Sequence, residues 1–288
     1  MTIKDALGQA REVLAANNIE DASLESELLL RHALGVGRVQ LYLALDDEFG
    51  AEKEVVFRKL IGRRLDGEPT AYIVRHREFY GLDFYVDARV LIPRPESELL
   101  VEKALQLAQN RGVSTIAEIG TGCGAIAISL AVKLPQIKVY ATDISGPALE
   151  VASFNCRKHG VADKISLLQG NLLEPLSESV DLIIANLPYV RELEISQGGL
   201  ANFEPELALS GGSDGLEKIR QLCQQAGSKL NPEGSLLLEI GQGQETPVTA
   251  FLRSLFPSAT IEVSPDLSGI ERVVSLCLTL NRPGAKFV

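Results

Sequence analysis

Four residues in the middle of the chain, Asn186-Leu187-Pro188-Tyr189, have the types needed to hold a planar nitrogen. An asparagine side-chain oxygen accepts hydrogen bonds, and so does the next backbone carbonyl. Two convergent acceptors hold both hydrogens of an NH2 group and aim its nitrogen. Pro188 stiffens the segment by fixing φ, and Tyr189 offers a ring face to a planar group. An amide or conjugated amine nitrogen is a poor nucleophile, because its lone pair is delocalised. No Ser-His-Asp or Cys-His grouping lies near these residues in the sequence. The chemistry left to them is positional: align the nitrogen with an electrophile and stabilise the positive charge that develops on it. A strand leaving a sheet through a turn calls for asparagine and proline too, and the four residues alone fit that plainer reading better.

A second group is Glu118-Ile119-Gly120-Thr121-Gly122-Cys123-Gly124, at the end of an apolar run. Glycines let a backbone turn tightly and approach a ligand without a Cβ in the way. By itself G-x-G-x-G is equally a plain strand-to-helix turn. Asp143 ends the next apolar run, Val139-Tyr140-Ala141-Thr142. An acid about 20 residues after such a loop accepts hydrogen bonds from ribose hydroxyls. It could also serve as a turn or cap residue ahead of Ile144-Ser145-Gly146-Pro147. Both features suit dinucleotides and S-adenosylmethionine. The spacing lacks the G-x-G-x-x-G fingerprint of dinucleotide sites and so leans to S-adenosylmethionine, which brings no pyrophosphate to a helix N-terminus.

These residues need a scaffold, and the pattern from about Thr115 onward supplies one. Expected strands are Ile116 to Ile119, Val139 to Thr142, Ile165 to Leu168, Leu182 to Ala185 (opened by Asp181), Ser235 to Ile240 and Val273 to Leu278. Expected helices are Ala125 to Leu134, Pro147 to Cys156 and Leu216 to Leu230. Strand-helix alternation implies an α/β fold with a mostly parallel sheet and helices on both faces. The first ~65 residues read as a small helical bundle. Thr2 and Asp21 are candidate N-caps and Gly35 a stop. The apolar faces run through Leu24, Leu28, Leu29 and Ala33, then Val55, Val56, Leu60 and Ile61. Gly67-Glu68-Pro69 breaks the helical pattern. Aromatic and β-branched residues around Gly81-Leu82 suggest a hairpin, and Ile92-Pro93-Arg94-Pro95 is extended.

The totals bound the rest. The chain has 288 residues, room for two domains, and 45% hydrophobic residues for a core. No apolar run approaches the ~18 residues of a membrane span, and the N-terminus lacks a signal-peptide layout, so a cytoplasmic protein is expected. The four cysteines are scattered and read as reduced. The three histidines show no ligand spacing, so no metal site is expected. A net charge of -10 argues against nucleic acid as the main partner.

The chain resembles a known family, the protein-(glutamine-N5) methyltransferases of peptide-chain release factors. The residues that carry the resemblance are Gly67-Glu68-Pro69 with Tyr72-Ile73, Glu78 to Leu82, and Ile92-Pro93-Arg94-Pro95-Glu96-Ser97-Glu98. Further along they are Glu204-Pro205, Ala208-Leu209, Gly211-Gly212, Asp214-Gly215-Leu216, Leu238 to Gly241, Asp266 to Gly269 and Arg272 to Val274. The resemblance implies a helical substrate-recognition domain over 1–75, a hairpin linker over 76–95, and a Rossmann-like class I methyltransferase domain over 96–288. It implies S-adenosyl-L-methionine as cofactor, contacted by Glu118, Gly120, Thr121, Gly122, Cys123, Gly124, Asp143, Asn171, Leu172 and Asn186. It implies that Asn186, Leu187, Pro188 and Tyr189 hold the glutamine of a release-factor Gly-Gly-Gln loop, in a monomer that binds neither membrane nor nucleic acid.

Four positions depart from the family pattern. Ser97 stands where threonine is usual, Leu187 where a first proline is usual, Asn171 where an acid is usual, and Leu172 where an aromatic is frequent. Arg94 and Glu96 fit either a linker-ordering role or an ion-paired surface turn. Asn-Leu-Pro-Tyr is also how ribosomal-RNA adenine dimethyltransferases spell the loop. The acidic charge and the position of the helices ahead of the core favour the glutamine enzymes.

Overall fold

A computed structural model describes residues 1–197 and 203–279. The chain forms two compact units, Met1–His76 and Arg77–Val288. The first contains five helices: α1 (Ile3–Ala16), α2 (Ala22–Leu34), α3 (Arg38–Leu43), α4 (Ala51–Leu65) and α5 (Thr70–Val74). Thr2 and Asp5 close a reciprocal capping box at the start of α1, at 3.1 and 3.0 Å. Gly35 ends α2 in the left-handed region at φ 73. Asp21 makes no side-chain cap.

The inward faces match the expected ones in part: Leu29, Ala33 and Leu60 are buried, other expected residues are not. On α2 the buried stripe is Ala22, Ser26, Leu29, Leu30 and Ala33. Leu24 is two positions out of phase with that stripe and is exposed. On α4 the buried residues are Phe57 and Leu60, while Val55 and Val56 face solvent. Phe57 takes the inward face because it meets Phe49 edge to face, 6.0 Å between centroids.

The second unit opens with an antiparallel hairpin, β1 (Arg77–Phe79) and β2 (Leu82–Phe84). Its turn is Tyr80-Gly81, one residue before the expected centre. Both residues have positive φ, 51 and 71, the conformation whose twist matches a two-residue hairpin. After the hairpin come α6 (Glu98–Arg111), β3 (Thr115–Ile119), α7 (Ala125–Lys133), β4 (Lys138–Asp143), α8 (Gly146–Lys158), β5 (Ile165–Gln169) and β6 (Val180–Ala185). Then follow α9 (Glu192–Gln197), α10 (Glu217–Ala226), β7 (Leu230–Glu239), α11 (Glu245–Leu255), β8 (Thr260–Pro265) and β9 (Glu271–Cys277). Asn155 of α8 ties the hairpin to the sheet domain, accepting from Tyr85 N and donating to the carbonyls of Tyr85 and Cys123.

The seven main strands form one sheet in the order β5-β4-β3-β6-β7-β9-β8. The first five run parallel and β9 runs antiparallel to both neighbours. This is the mostly parallel α/β sheet expected from the sequence. The expected helix to Leu230 stops at Ala226, because β7 already begins at Leu230. Helix α11 and edge strand β8 were not anticipated; half of β8 is exposed and the rest only half-buried, so its apolar signal is weak. Cys123, Cys156, Cys223 and Cys277 are free thiols. Among the described residues no helix is long and apolar enough to cross a membrane.

Candidate active site

Sheet register brings the two sequence motifs together. Ile119 at the end of β3 pairs with Ala185 at the end of β6. Gly120 and Asn186 therefore leave adjacent strand ends side by side. This is the point where strand order reverses, with β4 and β5 on one side and β6 and β7 on the other. Open parallel sheets bind ligands in the crevice at such a point. Asp143 ends β4 beside this edge, and Gly170-Asn171-Leu172 follow β5.

A single cleft is lined by Gly120, Gly122, Asp143, Asn171, Leu172, Asn186, Leu187 and Pro188 among others. The other residues expected at the cofactor lie beneath it. Glu118 is fully enclosed, and its Oε2 accepts from Thr121 Oγ1 at 2.5 Å and from Ala127 N at 3.1 Å. It pins the glycine loop to the first turn of α7. Burial raises its carboxyl to about 8, against the pull of those two donors. Cys123 is buried, and burial pushes its thiol up to about 12, so it stays protonated. Gly124 packs under the loop against Ile128 and Ala152.

Asp143 serves the turn role its sequence context allowed. Its Oδ2 accepts from Gly122 N at 2.8 Å and its Oδ1 from Ser145 N at 2.9 Å, so it shapes the loop and the next turn. It also faces the cleft, and each oxygen keeps a second acceptor direction. Burial raises its pKa and the backbone N–H groups of Ser145, Gly122 and Ile144 oppose that. Asn171 donates to Glu174 Oε1 at 3.0 Å, which leaves its carbonyl toward other partners. Leu172 sits at φ 50, a rare conformation for leucine. Thr142 Oγ1 donates to its carbonyl at 2.9 Å and holds it there.

The loop after β6 is organised by contacts the sequence did not reveal. Asn186 Nδ2 donates to Ser97 Oγ at 2.9 Å, and Ser97 is buried. No described donor bonds Asn186 Oδ1 or the carbonyl of Leu187. Leu187 is buried, its Cδ2 3.4 Å from where a Cβ on Gly120 would lie. Tyr189 donates to Glu239 Oε1 at a long 3.4 Å, while its carbonyl accepts from Gln244 Nε2 at 3.2 Å. Burial and the Glu239 charge push the Tyr189 phenol up to about 12.

Two glycines make room for this loop. A Cβ on Gly211 would lie 2.7 Å from the Pro188 carbonyl and 2.8 Å from Tyr189 Cα. One on Gly215, at φ 77, would strike the Tyr189 carbonyl. A third wall comes from Pro205, Leu207 and Ala208. Glu204 holds that wall to the strap ahead of α6: it accepts from Ile92 N at 3.1 Å and pairs with Arg94 at 2.5 Å. Its carboxylate is only 2% exposed. Arg94 thus makes a part-buried brace, whereas Glu96 is exposed. Glu239 could have been noticed as an acid ending the apolar run Leu236-Leu237-Leu238. Ser97 and Glu204 belong to segments that carry the family resemblance, but nothing local to them shows which groups they bond.

Relatives match this sequence along nearly its whole length. Residues 5–74 match a family described as the PrmC N-terminal domain, and residues 95–203 match the methyltransferase small domain. A release factor glutamine methyltransferase of Moorella thermoacetica is 42% identical over 94% of this chain and 97% of its own length. The chain belongs to the release factor glutamine methyltransferase family. Another member, from Geobacter sulfurreducens, is 40% identical over 95% of both chains. Among solved structures, a methyltransferase from Pyrococcus furiosus aligns with a TM-score of 0.53 at 20% identity, covering 70% of this chain and 91% of that one. That likeness supports the Rossmann-like fold alone. A methyltransferase domain of this class implies a methyl donor of the S-adenosylmethionine type.

Proposed function

We propose that the protein transfers a methyl group from S-adenosyl-L-methionine to the side-chain amide nitrogen of the glutamine in the Gly-Gly-Gln loop of peptide-chain release factors. The observation that carries this reading is the set of Asn186. Its nitrogen is tied back to Ser97, so Oδ1 and the Leu187 carbonyl are the groups left to receive an NH2. A primary amide has just the two hydrogens such a pair can hold. Membership of the release factor glutamine methyltransferase family supplies the substrate class. Release factors act in translation termination, which places the reaction in the cytoplasm.

The cleft residues fit the donor. Asp143 retains acceptor capacity for ribose hydroxyls, and Leu172, Ile144 and Ala148 give an apolar surface for a flat base. Gly120 and Gly122 keep that wall free of side chains. When bound, the sulfonium supplies an electrophilic methyl carbon. The protein's contribution is placement. Asn186 and Leu187 hold the amide hydrogens, Pro188 fixes the loop, and Tyr189 borders the amide plane. The two acceptors also favour the positive charge that grows on nitrogen as its bond to the methyl carbon forms and the sulfur–methyl bond breaks, leaving a neutral thioether; the nitrogen then loses one proton to water. Leu187 in place of proline leaves this intact, because the backbone oxygen does the work and the side chain packs on Gly120.

The test uses methyl-labelled S-adenosylmethionine with three acceptors: release factor, release factor with the loop glutamine changed to alanine, and ribosomal RNA. Label enters the first alone. Label in RNA, or equal label in both proteins, overturns the reading.

A further inference from the structure

Glu239 has an unexplained environment. It ends β7 and is 1% exposed. The register pairs Leu238 with Ala185, so Glu239 stands next to Asn186 across the ladder. Among the described residues, its Oε1 receives only the long bond from Tyr189, and no donor lies at bonding distance from its buried Oε2. Buried carboxylates are ordinarily well paired, and one that is not calls for a reason. The guanidinium of Arg272, on β9, favours its charge, but that side chain is already bonded to Asp266 and the Ile240 carbonyl. Glu96, ahead of α6, opposes the charge.

The reason lies in Ser97. Its oxygen accepts from Asn186 Nδ2, so its own proton must point elsewhere. The unpartnered Oε2 of Glu239 is the acceptor open to it, and the Ser97 hydroxyl is the leading influence that favours the ionised carboxylate. A carboxylate is acceptor-only. With the Ser97 proton turned to that unpartnered oxygen, the direction of the whole row is set: Ser97 points its hydroxyl at Glu239, Asn186 donates to Ser97, and Asn186 Oδ1 is left outward. Tyr189, at the other end of the loop, donates to the same carboxylate.

We infer that Glu239 is a positioning residue that acts through Ser97 and Tyr189 to keep the acceptor end of the Asn186 amide toward the substrate. The inference rests on the glutamine reading above. A neutral group at position 239 can donate to Ser97. Ser97 can then donate to Asn186 Oδ1 and turn the amide over. The loop would present N–H to N–H, and the substrate amide would be repelled. Burial raises the Glu239 carboxyl to about 7, within reach of ordinary assay conditions. Turnover should therefore fall as pH drops through that value.

The experiment uses the full-length protein with Glu239→Gln, Ser97→Ala, the double variant and Ser97→Thr. Turnover on release factor should fall about 100-fold in each of the first two, the scale of losing one preorganised polar contact. The double variant should be no slower than either single one, because both break one row. Ser97→Thr, which keeps the hydroxyl, should retain wild-type turnover. Affinity for S-adenosylmethionine, measured by calorimetry, should be unchanged throughout, and the acid limb of the pH profile should vanish in Glu239→Gln. NMR of the Asn186 side-chain amide reads the orientation without activity: Glu239→Gln should expose its protons to exchange. Wild-type turnover in Glu239→Gln, or losses that multiply in the double variant, would overturn the inference. A wild-type protein that labels no release factor defeats the functional reading instead. The Asn186 exchange data then decide the inference: unaltered protection in Glu239→Gln overturns it, and lost protection upholds the orientation row.

Discussion

Asn186 uses its two ends for different tasks. The nitrogen anchors to Ser97 and the oxygen stays available. Asn186→Ala removes both, and turnover should fall about 100- to 1,000-fold. The affinity for S-adenosylmethionine, read by calorimetry, should hold, because Asp143 and the glycine loop are untouched. A matching loss of donor affinity would move Asn186 from the acceptor side to the donor side of the cleft. Leu187 separates the same way into side chain and carbonyl. Leu187→Ala should cost about 2 kcal/mol in chemical denaturation, for a buried leucine with a gap left over Gly120. Its carbonyl persists, so turnover should drop far less than in Asn186→Ala.

At the scale of elements, the site depends on segments distant in sequence being fitted against one another. Gly215 precedes α10 and lies against the Tyr189 carbonyl. Gly215→Ala adds a left-handed residue with a Cβ, about 1–2 kcal/mol, and pushes the loop aside. Misplacement by an ångström costs up to about 100-fold in rate, so turnover should fall well beyond what the stability loss implies. Asp181, at the other end of β6, acts on the sheet alone. Burial would raise its pKa, but Asn231 and the Ser114 and Thr115 donors together hold it well below the usual range. A depressed carboxylate stabilises the fold above its unfolded pKa and loses that contribution as pH falls through its folded one. Asp181→Asn should cost about 1–2 kcal/mol at pH 7, allowing for its partial exposure. Thermal melts of the two proteins should converge as pH drops below the ordinary value of 3.8.

For the whole molecule, each unit encloses its own apolar core. One is centred on Leu29, Leu30, Leu41 and Phe57, the other on the sheet. Residues 77–288 should therefore fold and bind S-adenosylmethionine without the helical unit. If that unit recognises release factor, as the family resemblance implies, the KM for release factor should rise tenfold or more, about 1.4 kcal/mol. An unchanged KM in steady-state assays would remove the recognition role.

The glycine loop, Asp143 and the Asn186 loop were legible in the linear sequence because each sits where an apolar run ends. A strand's carboxyl end is marked by the residues themselves. Strand alternation likewise gave the mostly parallel sheet, and segments spread from Gly67 to Val274 pointed to the family. The faces of α2 and α4 are legible only in part: Leu29, Ala33 and Leu60 do point inward, but Leu24 and Val55 are apolar and out of phase with the residues that meet across the bundle. The partners of the motif were hidden for a deeper reason. Ser97, Glu204 and Glu239 act on segments that only strand register and loop return bring near them. Asn-Leu-Pro-Tyr by itself determined a pair of acceptors for a planar nitrogen. Which end of the asparagine faces that nitrogen was decided by a hydroxyl 89 residues away, because an amide's two ends are distinguished only by what bonds to them.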